Sequence, residues 1–254
     1  MVSDQPKPRE RIHASFRLGR LRAVKLSRLL RDRSYRHALR EGVAASVEHS
    51  VVPFDDGIAT VLDVGASRGQ FALFAAKRFP HARIVSFEPQ PGPMAELTEV
   101  LGERVERVPL ALGSAPGTAT MNISRRDDSS SLLPIGTNQR KVFPGTESID
   151  TLEVEVTTLD EALPEPLVRP CLLKIDVQGL ELEVLKGATK ILGQVDEALV
   201  EGSFVELYEG QALADDVISL MRDAGLRLTG IYGKTTDADG RDVQADFLFR
   251  RTTG

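Results

Sequence analysis

The amino-acid sequence predicts an α/β fold built on a doubly wound, mostly parallel sheet. Apolar segments of strand length alternate with amphipathic segments of helix length over most of the 254 residues. This order is expected when helices cover both faces of a parallel sheet. A glycine-containing turn at residues 65–69 joins the first strand to the first core helix, as in nucleotide-binding folds. Near the end of the chain two strands follow each other without a helix, which predicts an antiparallel hairpin.

Residues that favour or break each element set its predicted bounds. The first part of the core alternates strands and helices at 60–64, 69–79, 83–87, 92–101 and 105–110. Pro80 stops the first of these helices and Gly102 ends the second. The second part continues with strands and helices at 171–176, 180–192, 197–201, 212–224, 226–232 and 244–250. Gly187 predicts an irregularity in the helix at 180–192, and Asp239-Gly240 predicts the turn of the closing hairpin.

Residues 113–157 interrupt this alternation and contain no convincing helix. The segments 118–124 and 152–157 alternate as edge strands do, and the segment between them is polar. Long irregular insertions in compact domains are often lids or binding loops. We therefore predict a lid whose serine hydroxyl groups contact a cofactor or an acceptor, with a plain solvated loop as the alternative. The serines are Ser129, Ser130 and Ser131.

The turn after the first strand has a spacing that disfavours a dinucleotide. The dinucleotide fingerprint is Gly-x-Gly-x-x-Gly, which lets the backbone approach a pyrophosphate. Here the spacing is Gly65-x-x-x-Gly69, and Asp63 precedes the turn. A carboxylate at this place repels a pyrophosphate and suits a ligand that carries an ammonium and a sulfonium. S-adenosylmethionine is such a ligand, and an NAD-dependent oxidoreductase is disfavoured.

An acidic residue at the tip of the second strand supports the same cofactor. Glu88 follows the strand 83–87, and its carboxylate can accept hydrogen bonds from both hydroxyl groups of a ribose. No arginine follows in residues 88–92, so a 2′-phosphate has no partner there. The alternative is a solvated glutamate beside an ordinary glycine turn. The expected cofactor contacts are Asp63, Gly65, Ala66, Gly69, Phe71, Glu88, Pro89, Ala111 and Asp176.

Charge is divided unevenly along the chain. The net charge is −5, but residues 1–40 hold 12 lysines and arginines against three acids, and the rest carries −14. We predict a basic, helical N-terminal extension over residues 1–50 and one S-adenosylmethionine-binding domain over 51–254. The extension packs on its own domain or on a neighbouring subunit of a homo-oligomer. The alternative is a contact with an anionic partner or with an anionic lipid surface.

Composition narrows the class of protein further. Cys171 is the single cysteine, which excludes an internal disulfide and a cysteine zinc cluster. No apolar run approaches the ~20 residues needed to span a bilayer, and the N-terminus lacks the apolar core of a signal peptide. The expected localisation is cytoplasmic.

Four segments resemble one family, and the last of them is the most specific. They are Asp63-Val-Gly-Ala-Ser-Arg-Gly69, Glu88-Pro89, Ser129-Ser-Ser-Leu-Leu133 and Leu173-Lys-Ile-Asp-Val-Gln-Gly-Leu-Glu-Leu-Glu-Val-Leu-Lys-Gly-Ala188. Over residues 47–250 the chain resembles the FkbM family of S-adenosylmethionine-dependent methyltransferases. The resemblance implies a seven-stranded sheet, parallel except for its last inserted strand. It also implies O-methylation of a hydroxyl group on a sugar, glycolipid, polysaccharide or polyketide-type natural product.

An alcohol is a poor nucleophile, so the reaction needs a general base or a cation. Ligands of open α/β sheets bind beyond the carboxyl ends of the strands, and Asp176 and Glu201 end neighbouring strands. We predict Asp176 as general base, or with Glu201 as a site for Mg²⁺. In the alternative, Asp176 caps a helix or binds the cofactor. Lys174 shares a strand face with Asp176 and keeps it ionised, Gln178 lies on the acceptor side, and His49 is a further candidate base.

Two other functions are alternatives to methylation of a sugar or natural product. A nucleic-acid methyltransferase can use the basic extension for phosphate contacts. However, residues 175–179 lack the Asp/Asn-Pro-Pro-aromatic motif of amino-methylating enzymes, and tryptophan is absent, so platforms for base stacking are few. The expected acceptor is therefore a small molecule or a glycan. The second alternative is a non-catalytic S-adenosylmethionine-binding protein, which the intact acidic residues at the strand tips disfavour.

Overall fold

A computed structural model describes residues 26–27, 29–163 and 166–252. The predictions for the first 25 residues of the basic extension lie outside these residues. The described strands, in chain order, are β1 (Thr60–Val64), β2 (Arg83–Phe87), β3 (Glu106–Val108), β4 (Ala111–Leu112), β5 (Gly117–Ser124), β6 (Ser148–Thr157), β7 (Cys171–Ile175), β8 (Glu197–Ser203), β9 (Leu226–Thr236) and β10 (Asp242–Arg251).

The main sheet has seven strands in the order β3-β2-β1-β7-β8-β10-β9. The neighbours from β3 to β8 pair in parallel, and β10 runs antiparallel to both β8 and β9. The predicted mostly parallel, doubly wound sheet with a closing hairpin is confirmed. The hairpin turn is held by Asp237, whose carboxylate accepts from the backbone N–H groups of Asp239 and Arg241.

Helices cover both faces of this sheet. They are α1 (Arg33–Arg40), α2 (Gln70–Arg78), α3 (Pro91–Leu101), α4 (Thr137–Val142), α5 (Leu159–Ala162), α6 (Glu181–Lys186), α7 (Thr189–Leu192) and α8 (Ala214–Asp223), with 3₁₀ turns at Val47–Val51, Gly102–Arg104 and Asp127–Ser129. Successive strand residues point to opposite faces. Leu172 accordingly packs in the core that contains Phe71 and Phe74 of α2, and Leu173 in the core that contains Val184 of α6. The central strands β1 and β7 are buried along their whole length, as in a parallel sheet that is covered on both faces.

The insertion at 113–157 is more ordered than predicted. Strands β4, β6 and β5 form a second sheet in that order, and β5 pairs antiparallel with β6 along its length. Met121 and Val154 are buried with Ala111 in a small core of their own. The predicted absence of a helix is wrong, because α4 forms at Thr137–Val142. This helix is one polar turn and a half, too short for a helical period to mark it.

The segment before the main sheet packs on the rest of the chain. Asp32 caps α1, since its carboxylate accepts from the backbone N–H groups of Ser34 and Tyr35 at 2.9 and 3.4 Å. Tyr35 and Ala38 share a buried cluster with Leu73 of α2. The described part of the proposed extension therefore lies against its own domain. In the described part of the chain, no helix is long and apolar enough to cross a membrane.

We expect Gly65→Ala to destabilise the protein far more than Gly240→Ala. Both glycines have a left-handed backbone, at φ +77° and +79°. A Cβ atom at Gly65 would lie 1.8 Å from the carbonyl oxygen of Asp176, whereas nothing lies within 4 Å of one at Gly240. The matched control loses about 1–2 kcal/mol through backbone strain, and Gly65→Ala loses about 2 kcal/mol more through overpacking. Urea denaturation measures both, and equal midpoints would contradict the tight approach at Gly65.

Candidate active site

A cavity of about 600 Å³ lies at the carboxyl ends of β1, β2, β7 and β8, where open α/β sheets bind ligands. Its other walls come from residues 42–49 and from the insertion between residues 126 and 143. The predicted site residues that line it are Gly65, Ala66, Phe71, Glu88, Pro89, Ala111, Ser129, Ser130, Lys174, Asp176, Gln178 and Glu201. Asp63, Gly69 and Ser131 do not line it.

The two glycines of the turn have different tasks. Gly65 lines the cavity and allows the backbone at the end of β7 to approach the turn closely. Gly69 is the N-cap of α2 at φ +85°, and a Cβ atom there would lie 3.0 Å from Cγ of Leu97 in α3. The structure thus corrects the predicted cofactor contact of Gly69, because this glycine serves the packing of two helices.

Glu88 presents a buried carboxylate to the cavity. Its Oε2 accepts from the backbone N–H of Ser67 at 2.9 Å, and its Oε1 accepts from that of Gln90 at 2.8 Å. Burial raises the pKa of Glu88, and these two donors oppose the rise. Each carboxylate oxygen has a second lone pair. The side chain is therefore fixed in place and can still accept two hydroxyl groups of a ribose.

Asp63 faces Lys174 and not the cavity. Asp63 is fully buried, and its carboxylate oxygens have no hydrogen-bond partner among the described residues. The Nζ atom of Lys174 lies 3.6 Å from Oδ1 of Asp63 and 3.4 Å from Oδ2 of Asp176. The predicted direct contact of Asp63 with the cofactor is therefore corrected to an indirect role through Lys174. The reason is that the shared register of β1 and β7 places these two side chains opposite each other.

The charges of this buried group influence one another. Burial raises the pKa of Asp63, although Lys174 opposes the rise. Burial acts to lower the pKa of Lys174, but the carboxylates around it, Asp176 first and then Asp63, raise that pKa above its usual value. Lys174 is therefore an ammonium at neutral pH, as its predicted role requires.

An amide group holds the two predicted acceptor-side carboxylates side by side. The Nε2 atom of Gln178 donates to Oδ1 of Asp176 at 2.7 Å and to Oε2 of Glu201 at 3.1 Å. Gln178 has a left-handed backbone, at φ +56°. Burial, followed by repulsion from Asp176 and Asp246, raises the pKa of Glu201 well above its usual range.

Asp176 and Glu201 do not fit the Mg²⁺ site that the sequence predicts as one alternative. The N–H groups of Gln178 point at the oxygens of Asp176 and Glu201 that would have to bind a cation. Within residues 26–27, 29–163 and 166–252, no group of three or more His, Cys, Asp and Glu side chains could hold a metal ion. Hard cations require several oxygen ligands. No step of the proposed chemistry uses one.

The three serines of the insertion fasten it from within. All three are buried. The hydroxyl of Ser131 donates to the carbonyl oxygen of Gln178 at 2.7 Å, and that of Ser130 accepts from the backbone N–H of Ser124 at 3.0 Å. The predicted ligand contact of Ser131 is corrected, since its hydroxyl positions the backbone of Gln178. Ser129 and Ser130 line the cavity, so the proposal of a lid stands on these two.

Two residues that were not predicted from the sequence donate hydrogen bonds to Gln178 and Glu201. The hydroxyl of Tyr208 donates to Oε1 of Gln178 at 2.7 Å, and Nε2 of Gln244 donates to Oε1 of Glu201 at 2.7 Å. Tyr208 lies in the loop after β8, where no period marks it. The position of Gln244 depends on the antiparallel register of β10 against β8. No local pattern in the sequence signals either contact.

Glu181 is a buried acid directly behind the cavity. It lies in the first turn of α6, and its Oε1 accepts from the backbone N–H groups of Val177 and Gly179, both at 3.1 Å. Burial raises the pKa of Glu181 to about 7. Its carboxyl group therefore ties the tip of β7 to α6 and titrates near neutral pH.

Comparison with known proteins gives one consistent result. Residues 63–228 match the family described as the Methyltransferase FkbM domain. The chain is similar to Methyltransferase sdnD of Sordaria araneosa, with 30% identity over 200 residues that cover 66% of this chain and 74% of that protein. It is also similar to 2-O-methyltransferase NoeI of Sinorhizobium fredii (strain NBRC 101917 / NGR234), with 24% identity over 244 residues, 84% of this chain and 97% of that protein.

Two further similarities are more limited. Hexuronic acid methyltransferase AglP of Haloferax volcanii is 32% identical over 148 residues, 55% of this chain and 54% of that protein. Among solved structures, 1,6-didemethyltoxoflavin-N1-methyltransferase of Burkholderia thailandensis, with bound 1,6-didemethyltoxoflavin and S-adenosylhomocysteine, aligns with a TM-score of 0.44 and 14% identity. That alignment covers 100% of this chain and 94% of the other.

We expect Lys174→Met to lower the free energy of unfolding by about 3–5 kcal/mol at pH 7, because it leaves a buried carboxylate unpaired. The double variant Lys174→Met/Asp63→Asn should recover most of this loss. Lys186→Met, which removes an exposed lysine from a pair with Glu183, is the control and should change stability by less than about 1 kcal/mol. Denaturant titration measures all three. A double variant no more stable than Lys174→Met would contradict the pairing with Asp63.

We expect Glu181→Gln to change how stability depends on pH. The pKa of Glu181 rises from 4.5 to about 7 on folding. Its stabilisation of the fold is therefore complete below pH 4.5 and is lost as pH rises through 7. The glutamine keeps the hydrogen bonds and does not titrate, so the variant should gain about 3 kcal/mol relative to wild type between pH 4.5 and 8.

Thermal and urea unfolding from pH 4 to 8 measure this difference. Glu183→Gln is the matched control on the same helix. Lys186 lowers the pKa of Glu183, so this control should show no such gain with rising pH. A Glu181→Gln variant that tracks wild type at every pH would contradict the raised pKa.

Proposed function

Because this chain belongs to the FkbM family of S-adenosylmethionine-dependent methyltransferases, we propose that it transfers a methyl group to a hydroxyl group of a neutral sugar. One observation carries the proposal. The carboxylates of Asp176 and Glu201, held side by side by Gln178, share a cavity with Glu88 and the turn at Gly65. Paired carboxylates and amides are suited to accept and donate hydrogen bonds to neighbouring hydroxyl groups of a sugar.

The cofactor half of the cavity fits S-adenosylmethionine. Glu88 would bind the ribose, and Gly65 and Ala66 would lie against the cofactor with Phe71 and Ala111 as apolar neighbours. When bound, the cofactor supplies a methyl group that its sulfonium already activates. The tasks left to the protein are to align the acceptor oxygen and to exclude water.

The acceptor half fits a hydroxyl group. The side chain of Asp176 is 36% exposed, so its carboxylate can still meet an acceptor although Gln178 donates to Oδ1 and Lys174 lies 3.4 Å from Oδ2. A hydrogen bond from the hydroxyl to Asp176 would orient the oxygen lone pair. Glu201, beside it, is placed to hold a neighbouring hydroxyl. Vicinal hydroxyl groups are the feature that a sugar offers to such a pair.

The charges of the lining favour a neutral acceptor. Within the described part of the chain, the acidic residues of the lining are Glu48, Glu88, Asp127, Asp128, Asp176 and Glu201. Each basic side chain of the lining has a carboxylate partner: Arg68 has Asp127, Arg126 has Asp128, and Lys174 has Asp176. A carboxylate or phosphate on the acceptor would find every lysine and arginine of the described lining already paired with a carboxylate, which disfavours a uronic acid and a nucleic acid alike.

The relatives support the coarse class of acceptor. The name of NoeI states transfer to an oxygen, and that of AglP states a sugar acid as acceptor. Both statements belong to those proteins. For this chain they support an oxygen of a sugar, and the pairing of the lysine and arginine side chains of the described lining disfavours acceptors that carry a carboxylate.

Calorimetric titration with S-adenosylmethionine tests the cofactor half. We expect Glu88→Ala to weaken binding about 10–100-fold, because hydrogen bonds to a charged group contribute about 1.5–3 kcal/mol. Glu106→Ala removes an exposed glutamate of β3 that pairs with Arg83 and should bind as wild type does. Equal affinities in the two variants, with both proteins folded, would contradict the role of Glu88.

Transfer of a radiolabelled methyl group tests the acceptor half. Matched pairs of methyl glycosides and methyl glycuronides, such as glucoside with glucuronide and galactoside with galacturonide, should be methylated only as the neutral member. Preferential methylation of the uronides would contradict the neutral acceptor. Cofactor binding without transfer to any member of the panel would contradict the sugar substrate and favour a non-catalytic role.

A further inference from the structure

We propose that His49 is the general base that takes the proton of the acceptor hydroxyl, and that Asp246 is its positioning residue. This proposal rests on the proposed function, since it concerns the same methyl transfer. His49 precedes the part of the chain that matches the family, residues 63–228. His49 nevertheless lines the same cavity as Lys174, Glu201 and Gln244.

The ring of His49 is held firmly at the cavity wall. Its side chain is 13% exposed. The ring stands edge-on to Phe71, with centroids 5.2 Å apart and an interplanar angle of 85°, and lies 5.9 Å from Phe74. The backbone N–H of Ser46 donates to the carbonyl oxygen of Gln70 at 2.9 Å, which ties the 3₁₀ turn of His49 to the start of α2. A base must be fixed in this way to meet a hydroxyl group at a defined place.

The neighbours of the ring determine which nitrogen accepts a proton. Nδ1 of His49 lies 3.1 Å from the carbonyl oxygen of Ser46. A carbonyl oxygen can only accept, so we assign the hydrogen to Nδ1. In the neutral ring Nε2 then carries the free lone pair. Oδ2 of Asp246 lies 3.7 Å from Nε2, which is too long for a hydrogen bond but close enough to stabilise an imidazolium after proton transfer.

The position of Asp246 links this pair to the acceptor carboxylates. Asp246 on β10 pairs in register with Glu201 on β8. Gln244, two residues away on the same strand face, donates to Glu201. A Cβ atom at Gly233 of β9 would lie 2.5 Å from Oδ2 of Asp246, so the carboxylate packs against a glycine that leaves it room. The base is therefore placed next to the group that would hold the sugar.

Charged groups from each neighbouring strand act on His49. Asp246 of β10 is in direct ion-pair range, and Asp63 of β1 interacts electrostatically with the ring. Lys174 of β7 lies over the face of Phe71, the ring that His49 also contacts, and Glu201 of β8 pairs in register with Asp246.

Chemistry also favours His49 over Asp176 as the base. Both oxygens of Asp176 are in contact with a cation or a donor, Lys174 and Gln178. Histidine is the side chain that most often acts as a general base. Asp176 therefore orients the hydroxyl group, and His49 removes its proton.

The proposed step couples loss of the hydroxyl proton to His49 with transfer of the methyl group to the acceptor oxygen. The O–H bond of the acceptor breaks and its proton bonds to Nε2 of His49. S-adenosylmethionine, when bound, would supply the methyl group to this oxygen, and the electron pair of its broken carbon–sulfur bond would stay on its sulfur. The imidazolium is paired with Asp246 and returns its proton to water after the product leaves.

Nitrogen-15 NMR of histidine-labelled protein tests the proton position without any acceptor. The chain has four histidines, and His49→Gln assigns the signal of His49. We expect a neutral ring with hydrogen on Nδ1 and a bare Nε2. In Asp246→Asn the midpoint of the His49 titration should move to lower pH by at least half a unit. A hydrogen on Nε2 of the neutral ring, or an unchanged midpoint, would overturn the proposal.

Kinetics with a sugar that wild type methylates test the base itself. We expect His49→Ala to lower kcat by about 10²–10⁴-fold, to bind S-adenosylmethionine within twofold of wild type, and to regain activity with added imidazole. Asp246→Asn should shift the acidic limb of the pH–kcat profile to lower pH. His81→Gln, on an exposed turn, is the control and should keep wild-type kcat.

The outcomes separate the two proposals. A His49→Ala variant with wild-type kcat would overturn the base, whatever its effect on stability. If no sugar is methylated by wild type, the proposed acceptor fails, and the NMR result still decides whether His49 has the free Nε2 and the coupling to Asp246 that the base requires.

Discussion

The ion pair between the buried ammonium of Lys174 and the carboxylate of Asp63 is the constraint on which the rest of the site depends. Each group alone would be very unfavourable in the interior, because neither has enough hydrogen bonds to replace water. They can be buried only together, and the parallel register of β1 and β7 places them opposite each other. Any slip of one residue would turn one charge to the other face of the sheet. The pair therefore specifies the register of the two central strands.

The same sheet face changes from an apolar core to a polar site along the strands. Leu199 of β8 pairs with Lys174 and with Leu248 of β10, and both leucines pack in the core that contains Phe71 of α2. Glu201 lies two residues after Leu199 on the same face of β8, nearer the carboxyl end of the strand. Its partner on β10 is Asp246. The residues that would do the chemistry thus stand directly beyond the core. Their rigidity follows from the packing beneath them.

The sequence revealed most of the fold because its local signals agree with each other. Strand periods, Pro80 and Gly102 placed the first elements within one or two residues of β1, α2, β2 and α3. The number of strands came from resemblance to a family. Asp176 and Glu201 could be predicted as neighbours because strand tips converge at one edge. The direction of Asp63, the role of Ser131 and the contacts of Tyr208 and Gln244 depend on pairings across many residues, which no local pattern contains.

The division of the cavity between two parts of the chain has a consequence for how acceptors are chosen. The turn at Gly65, Glu88 and Asp176 all lie within residues 63–228, the part shared with the family. The wall formed by residues 42–49 lies before it. In the proposed mechanism that wall supplies the proton acceptor. The same short segment would therefore meet the acceptor and remove its proton, and it is held on α2 by the hydrogen bond from Ser46 and by the contacts of His49 with Phe71 and Phe74.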